Sequence, residues 1–252
     1  MPAFDARPLA RVSTRRRFLT TATGATAAFS LVSRASLAGQ MKARGDAALT
    51  KEQRDRMTPG EILDELKRGN ERFRSGKPTP HDYRDQKRSS AGGQFPVVAF
   101  LGCIDSRAPA EIIFDTGIGD GFNARVAGNV VNDDLTGSLE FACAVAGAKV
   151  IVLFGHTACG AIKGAIDDVE MGNLTGLLAR VKPAITATAS FAGAKSSKNA
   201  AYVDAVARTN VLLGIETLRR RSPILADLEK KKALLVIGAM YDLTTGAVEF
   251  VS

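Results

Sequence analysis

The chain has 252 residues, 45% of them hydrophobic and 24% charged, which is enough apolar material for one sizeable core. No stretch of about 18 apolar residues marks a membrane-spanning helix. The formal net charge of +8 sits mostly at the start: residues 1–38 carry Arg7, Arg11, Arg15, Arg16, Arg17 and Arg34 against Asp5, which leaves +3 on the remainder and gives no reason to invoke a nucleic-acid partner.

Those first 38 residues read as an export signal. Arg15-Arg16-Arg17-Phe18-Leu19 resembles a twin-arginine motif, a weakly apolar run follows over 20–32, and Ser36-Leu37-Ala38 offers small residues for cleavage. The expected destination is the periplasm or another exported compartment. Three cysteines remain, Cys103, Cys143 and Cys159. An odd count does not suit a disulfide framework, but it suits two metal ligands and one buried thiol.

In chain order, 39–57 is polar and reads as a linker, and 58–252 reads as one domain. Thr58-Pro59-Gly60-Glu61 is a helix start, with Thr at the cap, Pro at the first position and Glu three residues after the cap. A helix is predicted over 59–74, with Ile62, Leu63, Leu66 and Phe73 on one stripe. Residues 75–93 read as a loop, and His81 within it as a solvated surface residue. A continuous apolar strand is predicted over 97–101, a short helix over 107–114 and a second strand over 121–127. Gly117-Ile118-Gly119-Asp120-Gly121 lacks the strand and long helix of a dinucleotide loop and reads as a turn. An alanine-rich helix over 136–146 contains Cys143, read as buried filler. The clearest buried strand covers 149–154. Helices follow over 160–171, 174–189 and 203–220, then strands over 233–239 and 248–251 joined by a turn at 244–246. Apolar strands alternating with helices predict an α/β fold: a mostly parallel central sheet covered on both faces, with an antiparallel edge.

Two strand ends carry the chemistry. Gly102-Cys103-Ile104-Asp105-Ser106-Arg107 follows the first strand, and Gly155-His156-Thr157-Ala158-Cys159-Gly160 follows the buried one. Parallel strands put both segments on the same sheet edge, where reactive groups collect. Taken singly, His156 reads as a satisfied core histidine and each cysteine as a small buried hydrophobe. Taken together, Cys103, His156 and Cys159 make a Cys₂His donor set, which suits zinc and leaves one coordination position open. Asp105 and Arg107 also read as an ion pair at a helix start, where aspartate is a favoured cap.

With their flanks, Cys103-Ile104-Asp105-Ser106-Arg107 and the paired stretches Glu140-Phe141-Ala142 and Ile151-Val152-Leu153-Phe154-Gly155-His156-Thr157-Ala158-Cys159-Gly160 resemble the two signatures of β-carbonic anhydrases. The resemblance runs from about Pro59 to the C-terminus. Ile104 and Cys143 depart from the usual residues, and neither is a ligand position. The resemblance implies reversible hydration of CO₂ to bicarbonate and a proton, with hydroxide on zinc as the nucleophile. It implies zinc on Cys103, His156 and Cys159, and an Asp105–Arg107 dyad that orients the nucleophile. In a closed form Asp105 would itself take the fourth zinc position. It further implies that Gln94 hydrogen-bonds substrate and that Phe122 and Phe141 line the CO₂ pocket from a partner subunit, which requires a homodimer or homotetramer. Arg125 matches one residue of an inhibitory bicarbonate site, but Phe100 and Phe141 stand where the other two would be, so the constitutively open form is expected. Two thiolates on zinc predict activity that rises from neutral to alkaline pH. Rival readings are hydrolysis of carbonyl sulfide or carbon disulfide on the same site, a structural zinc protein, and a thiol redox pair of Cys103 and Cys159.

Overall fold

The computed structural model describes residues 47–252; the expected signal at 1–38 and the first part of the expected linker, 39–46, lie outside the described residues. Five strands form one sheet among the described residues: β1 (Val98–Gly102), β2 (Gly121–Arg125), β3 (Val150–His156), β4 (Leu235–Tyr241) and β5 (Val248–Val251), in the order β2-β1-β3-β4-β5. The first four run parallel and β5 returns antiparallel on β4. This is the α/β architecture that the alternation of elements predicts. β1 and β3 are buried at every position, which is why they read as unbroken apolar runs. They pair in register up to Gly102 opposite Phe154, so both chains leave the sheet along the same edge.

The helices are α1 (Lys51–Arg56), α2 (Pro59–Arg74), α3 (Tyr83–Ser90), α4 (Ala110–Ile113), α5 (Asp133–Glu140), α6 (Gly160–Ile166), α7 (Gly172–Leu178), α8 (Lys182–Ala187), α9 (Ala200–Arg221) and α10 (Pro223–Lys230). α9 covers one face of the sheet, its Val203, Val206, Val211 and Ile215 sharing a core with Ile151 and Leu153. The opposite face carries α2 and an aromatic layer in which Phe100 stacks on Phe114 with ring centres 5.1 Å apart and Phe154 lies 5.4 Å from Phe114. Burying each such ring contributes about 1.5–3 kcal/mol. α2 begins where its capping box predicts, with Thr58 and Glu61 bonded reciprocally. A side chain at Gly69 would place its Cβ 1.9 Å from the Phe114 carbonyl oxygen, so glycine is what lets α2 approach this layer.

Several elements differ from the sequence reading. Part of the expected linker is docked rather than free: α1 is capped by Thr50, Leu49 and Met57 are buried, and Lys149 Nζ donates to the carbonyls of Asp55 and Met57 at 2.8 and 2.7 Å. Its polar composition hides this because the contacts are made largely by charged side chains to backbone. The expected loop at 75–93 contains α3, whose polar sequence offers no apolar stripe and whose start is fixed by the Asp82 side chain. α10 follows α9 directly, with Ser222 as cap and Pro223 at its first position. The helix expected over 136–146 starts earlier, at Asp133, and widens into a π-type turn over Phe141–Val145. The helix expected over 174–189 is α7 and α8, separated by a tight turn at Ala179–Val181.

Candidate metal centre

Cys103 follows the last residue of β1, His156 ends β3, and Cys159 caps α6. All three are buried, and their ligand atoms lie within 4.8 Å of one another. The two sulfurs stand 4.0 Å apart, far beyond a disulfide bond. Two sulfurs each about 2.3 Å from a tetrahedral zinc would lie roughly 3.8 Å apart, so the spacing fits the ion with little movement.

The histidine is prepared for a metal. Its Nδ1 donates to the Thr157 carbonyl oxygen at 2.9 Å, which leaves Nε2 with a lone pair. That Nε2 is buried and has no hydrogen-bond partner among the described residues. A buried polar atom without a partner is costly, and a cation between the imidazole and the two sulfurs removes the cost. The Cys103 thiol is drawn well below its usual value, first by the hydrogen bond from Cys159 and also by the Gly128 N–H, which reaches Cys103 Sγ at 3.3 Å. A thiolate is the form that binds metal.

The loops are pinned on all sides. Arg125 holds the first ligand loop, donating from Nε to the Cys103 carbonyl at 2.9 Å and from Nη2 to the Asp105 carbonyl at 2.5 Å. The second loop places Ala158 at φ 54, in the left-handed region, and the Asp204 carboxylate accepts its N–H at 2.9 Å. Such backbone strain costs about 1–3 kcal/mol and persists because the surroundings enforce it. The Leu243 N–H donates to Thr157 Oγ1 at 3.0 Å and ties this loop to the chain after β4. Asp204, Gly128 and Thr157 were not singled out in the sequence. Each bonds to or through a main-chain group, a partnership that residue identity does not disclose.

Asp105 and Arg107 form a bidentate pair, Nε to Oδ1 at 2.9 Å and Nη2 to Oδ2 at 2.7 Å, and the Arg107 N–H donates to Oδ1 at 3.0 Å. The Arg107 side-chain bond, above all, holds the Asp105 carboxyl far below the usual carboxylate range despite partial burial. Asp105 Oδ2 lies 3.7 Å from His156 Nε2, so an ionised carboxylate stands beside the donor set while committed to the arginine.

Three residues expected to contact substrate are not gathered here. Gln94 precedes β1 and is exposed at the amino end of the strand, opposite the edge that carries Cys103. Phe122 and Phe141 meet edge to face, 6.1 Å between ring centres, and line a groove of about 650 Å³ that none of the three donors lines. Phe100 is fully buried in the aromatic layer, and Arg125 is engaged by the ligand loop as described. Cys143 is buried as expected, and burial pushes its thiol up to about 12. His81, expected in solvent, is instead largely covered, because Asp115 and Gln86 bond both of its ring nitrogens.

Residues 98–248 match the family model described as carbonic anhydrase. The chain is 35% identical over 187 residues to carbonic anhydrase 2 of Mycobacterium tuberculosis, covering 72% of this chain and 87% of that protein. It is 35% identical over 190 residues to a carbonic anhydrase of Mycolicibacterium smegmatis, covering 73% and 89%. Among solved structures it is similar to the tetrameric β-carbonic anhydrases of Sordaria macrospora, at 30% identity and a TM-score of 0.59, covering 64% of this chain and 83% of that one. The family match spans more than half of the chain and includes all three metal donors; the chain belongs to the β-class carbonic anhydrases, zinc enzymes that interconvert CO₂ and bicarbonate.

Proposed function

We propose that Cys103, His156 and Cys159 are the zinc ligands of the CO₂ hydration site and that Asp105, held by Arg107, orients the attacking oxygen. The observation that carries this is the unpaired, buried Nε2 of His156 facing two sulfurs beside an ionised carboxylate. Zinc bound there supplies Lewis acidity and lowers the pKa of water at the coordination position that the three side chains leave free. Asp105 is an acceptor only, because Arg107 keeps its carboxyl ionised. Its oxygen accepts the O–H of the attacking group and turns a lone pair towards the carbon of CO₂. Arg107, 58% exposed at the side chain, keeps the carboxylate from swinging onto the metal. This pairing supports the open form of the site. A crystal grown above about pH 8 with Asp105 ligating zinc would contradict it.

The reading includes a second copy of the chain. Gln94, Phe122 and Phe141 lie away from the metal donors of their own subunit, and they would line the substrate pocket of a neighbour. Phe141 and Val145, 48% and 73% exposed on the π-type turn after α5, support an assembly, as does the likeness to tetrameric relatives. The apolar stripe of α2 adds nothing to this, since its Ile62 and Leu66 are buried within the subunit. A Val145→Asp variant should shift the particle to a smaller mass in light scattering and lose activity. A full-sized, active particle would contradict the shared pocket.

The export reading rests on the order of charged, apolar and small residues over 1–38. Cell fractionation should find the protein outside the cytoplasm, and replacing Arg16 and Arg17 with lysine should retain it inside. The activity test is stopped-flow CO₂ hydration across pH. The rate should rise from neutral to alkaline pH, and a flat profile between about pH 6.5 and 9 would contradict a thiolate-ligated site.

A further inference from the structure

On the α8–α9 side of the molecule, the turn after β2 meets these two helices around a pocket of about 220 Å³. Its charged lining is three arginines, Arg180, Arg220 and Arg221, and among the described residues no carboxylate lines it. Its polar wall includes Asn129, whose Nδ2 is buried and has no hydrogen-bond partner among the described residues. Such an atom calls for an acceptor, since leaving a buried N–H unpaired costs free energy. The amide is held in place by its backbone. Gly128 and Asn129 are both left-handed, at φ 67 and 43, and Asn210 Nδ2 donates to the Gly128 carbonyl at 2.9 Å.

The arginines differ in how far they are committed. Arg221 pairs with Asp133. Among the described residues Arg220 bonds only the Thr217 hydroxyl, at 3.3 Å, and Arg180 has no ion-pair partner. Two guanidinium groups with free donors therefore share a pocket with an unpaired amide N–H. Guanidinium forks match the spaced oxygens of planar or tetrahedral oxyanions.

We propose that this pocket binds a small oxyanion of the bicarbonate or phosphate class, with Asn129 Nδ2 donating from the wall and Arg180 and Arg220 closing over it. The site is separate from the zinc donors and rests on none of the assignments made for them.

The test is calorimetric titration of the zinc-loaded protein with inorganic phosphate at constant ionic strength, against an Arg180→Ala, Arg220→Ala double variant. Both side chains are exposed and outside the catalytic machinery, so the variant should keep its melting temperature and its CO₂ hydration rate. Saturable phosphate binding in the wild type, weakened about tenfold or more in the variant, is the expected result. Absence of saturable binding, or equal binding in both proteins, overturns the proposal; equal binding would place phosphate elsewhere, for instance at the metal. A competition arm separates the sources of the anion. Bicarbonate that displaces phosphate supports the enzyme's own product as an occupant, and phosphate that bicarbonate fails to displace supports free phosphate.

Discussion

The chain's two histidines lie in clusters built from the same kinds of groups, a carboxylate and an arginine beside an imidazole. Around His81 every bond is closed: Asp115 Oδ1 lies 3.3 Å from Nε2, Gln86 Nε2 lies 3.1 Å from Nδ1, and the Gln86 oxygen accepts the Ile118 N–H at 2.9 Å. Asp115 also takes Arg72 and the backbone and side chain of Thr79. Around His156 only Nδ1 is closed, and Nε2, beside the two sulfurs, has no hydrogen-bond partner among the described residues. A buried polar cluster with every partner in place stabilises and orders the fold. One that keeps a lone pair open is prepared to bind something the polypeptide does not supply. The same residue types therefore serve architecture around His81 and, in the proposed site, catalysis at the sheet edge.

The largest effects should come from closing the open cluster. Cys159→Ser or His156→Ala should abolish zinc binding and reduce CO₂ hydration to the buffer rate, read by metal analysis and stopped flow. Retained zinc and activity would remove the distinction between the clusters. The closed cluster should answer in stability instead. Asp115→Asn should cost up to about 3 kcal/mol in chemical denaturation, the low end for a broken buried pair, because Arg72 keeps Glu65 at 3.0 Å. Its zinc content and turnover should not change. Burial opposes ionisation of Asp115, but the bonds from Arg72 and Thr79 outweigh it and hold the carboxyl below its ordinary value. A carboxyl that titrates lower in the folded chain contributes its full stability above about pH 4, and that contribution is lost as the pH falls through the folded value. The variant should accordingly show a flatter acid limb, and an unchanged limb would contradict the assignment.

Smaller effects sharpen the comparison further. Asp105→Asn should keep zinc and lose roughly 10–100-fold in kcat/KM, as expected for a group that orients through a hydrogen bond. Loss of zinc in that variant would make Asp105 structural. His81→Asn should cost about 1–2 kcal/mol for its hydrogen bonds and leave the pH–rate profile in place. A shifted profile would assign His81 to proton transfer.

The parallel run of the strands and the antiparallel edge were legible because β1 and β3 are long apolar runs and the last two strands are joined by a short turn; the order β2-β1-β3-β4-β5 was not, because no local pattern says which strands pair. The same logic located Cys103, His156 and Cys159, since parallel strands must bring their carboxyl ends together. α3 was not legible, because its stability comes from the Asp82 cap and the buried Gln86 rather than from an apolar stripe. His81 was misread for a related reason: a short polar loop gives no sign of the buried aspartate it folds onto, 34 residues away. Phe122 and Phe141 were placed on a partner's pocket by motif position, but the position of Gln94 at the amino end of β1, away from the donors of its own subunit, follows only from the direction of that strand.

Zinc content and CO₂ hydration measured on one batch of purified protein bear most directly on the open cluster. Stoichiometric zinc, one ion per chain, with hydration well above the buffer rate is the predicted result. Zinc bound without hydration, or a metal-free protein in which Cys103 and Cys159 have joined as a disulfide, would contradict it.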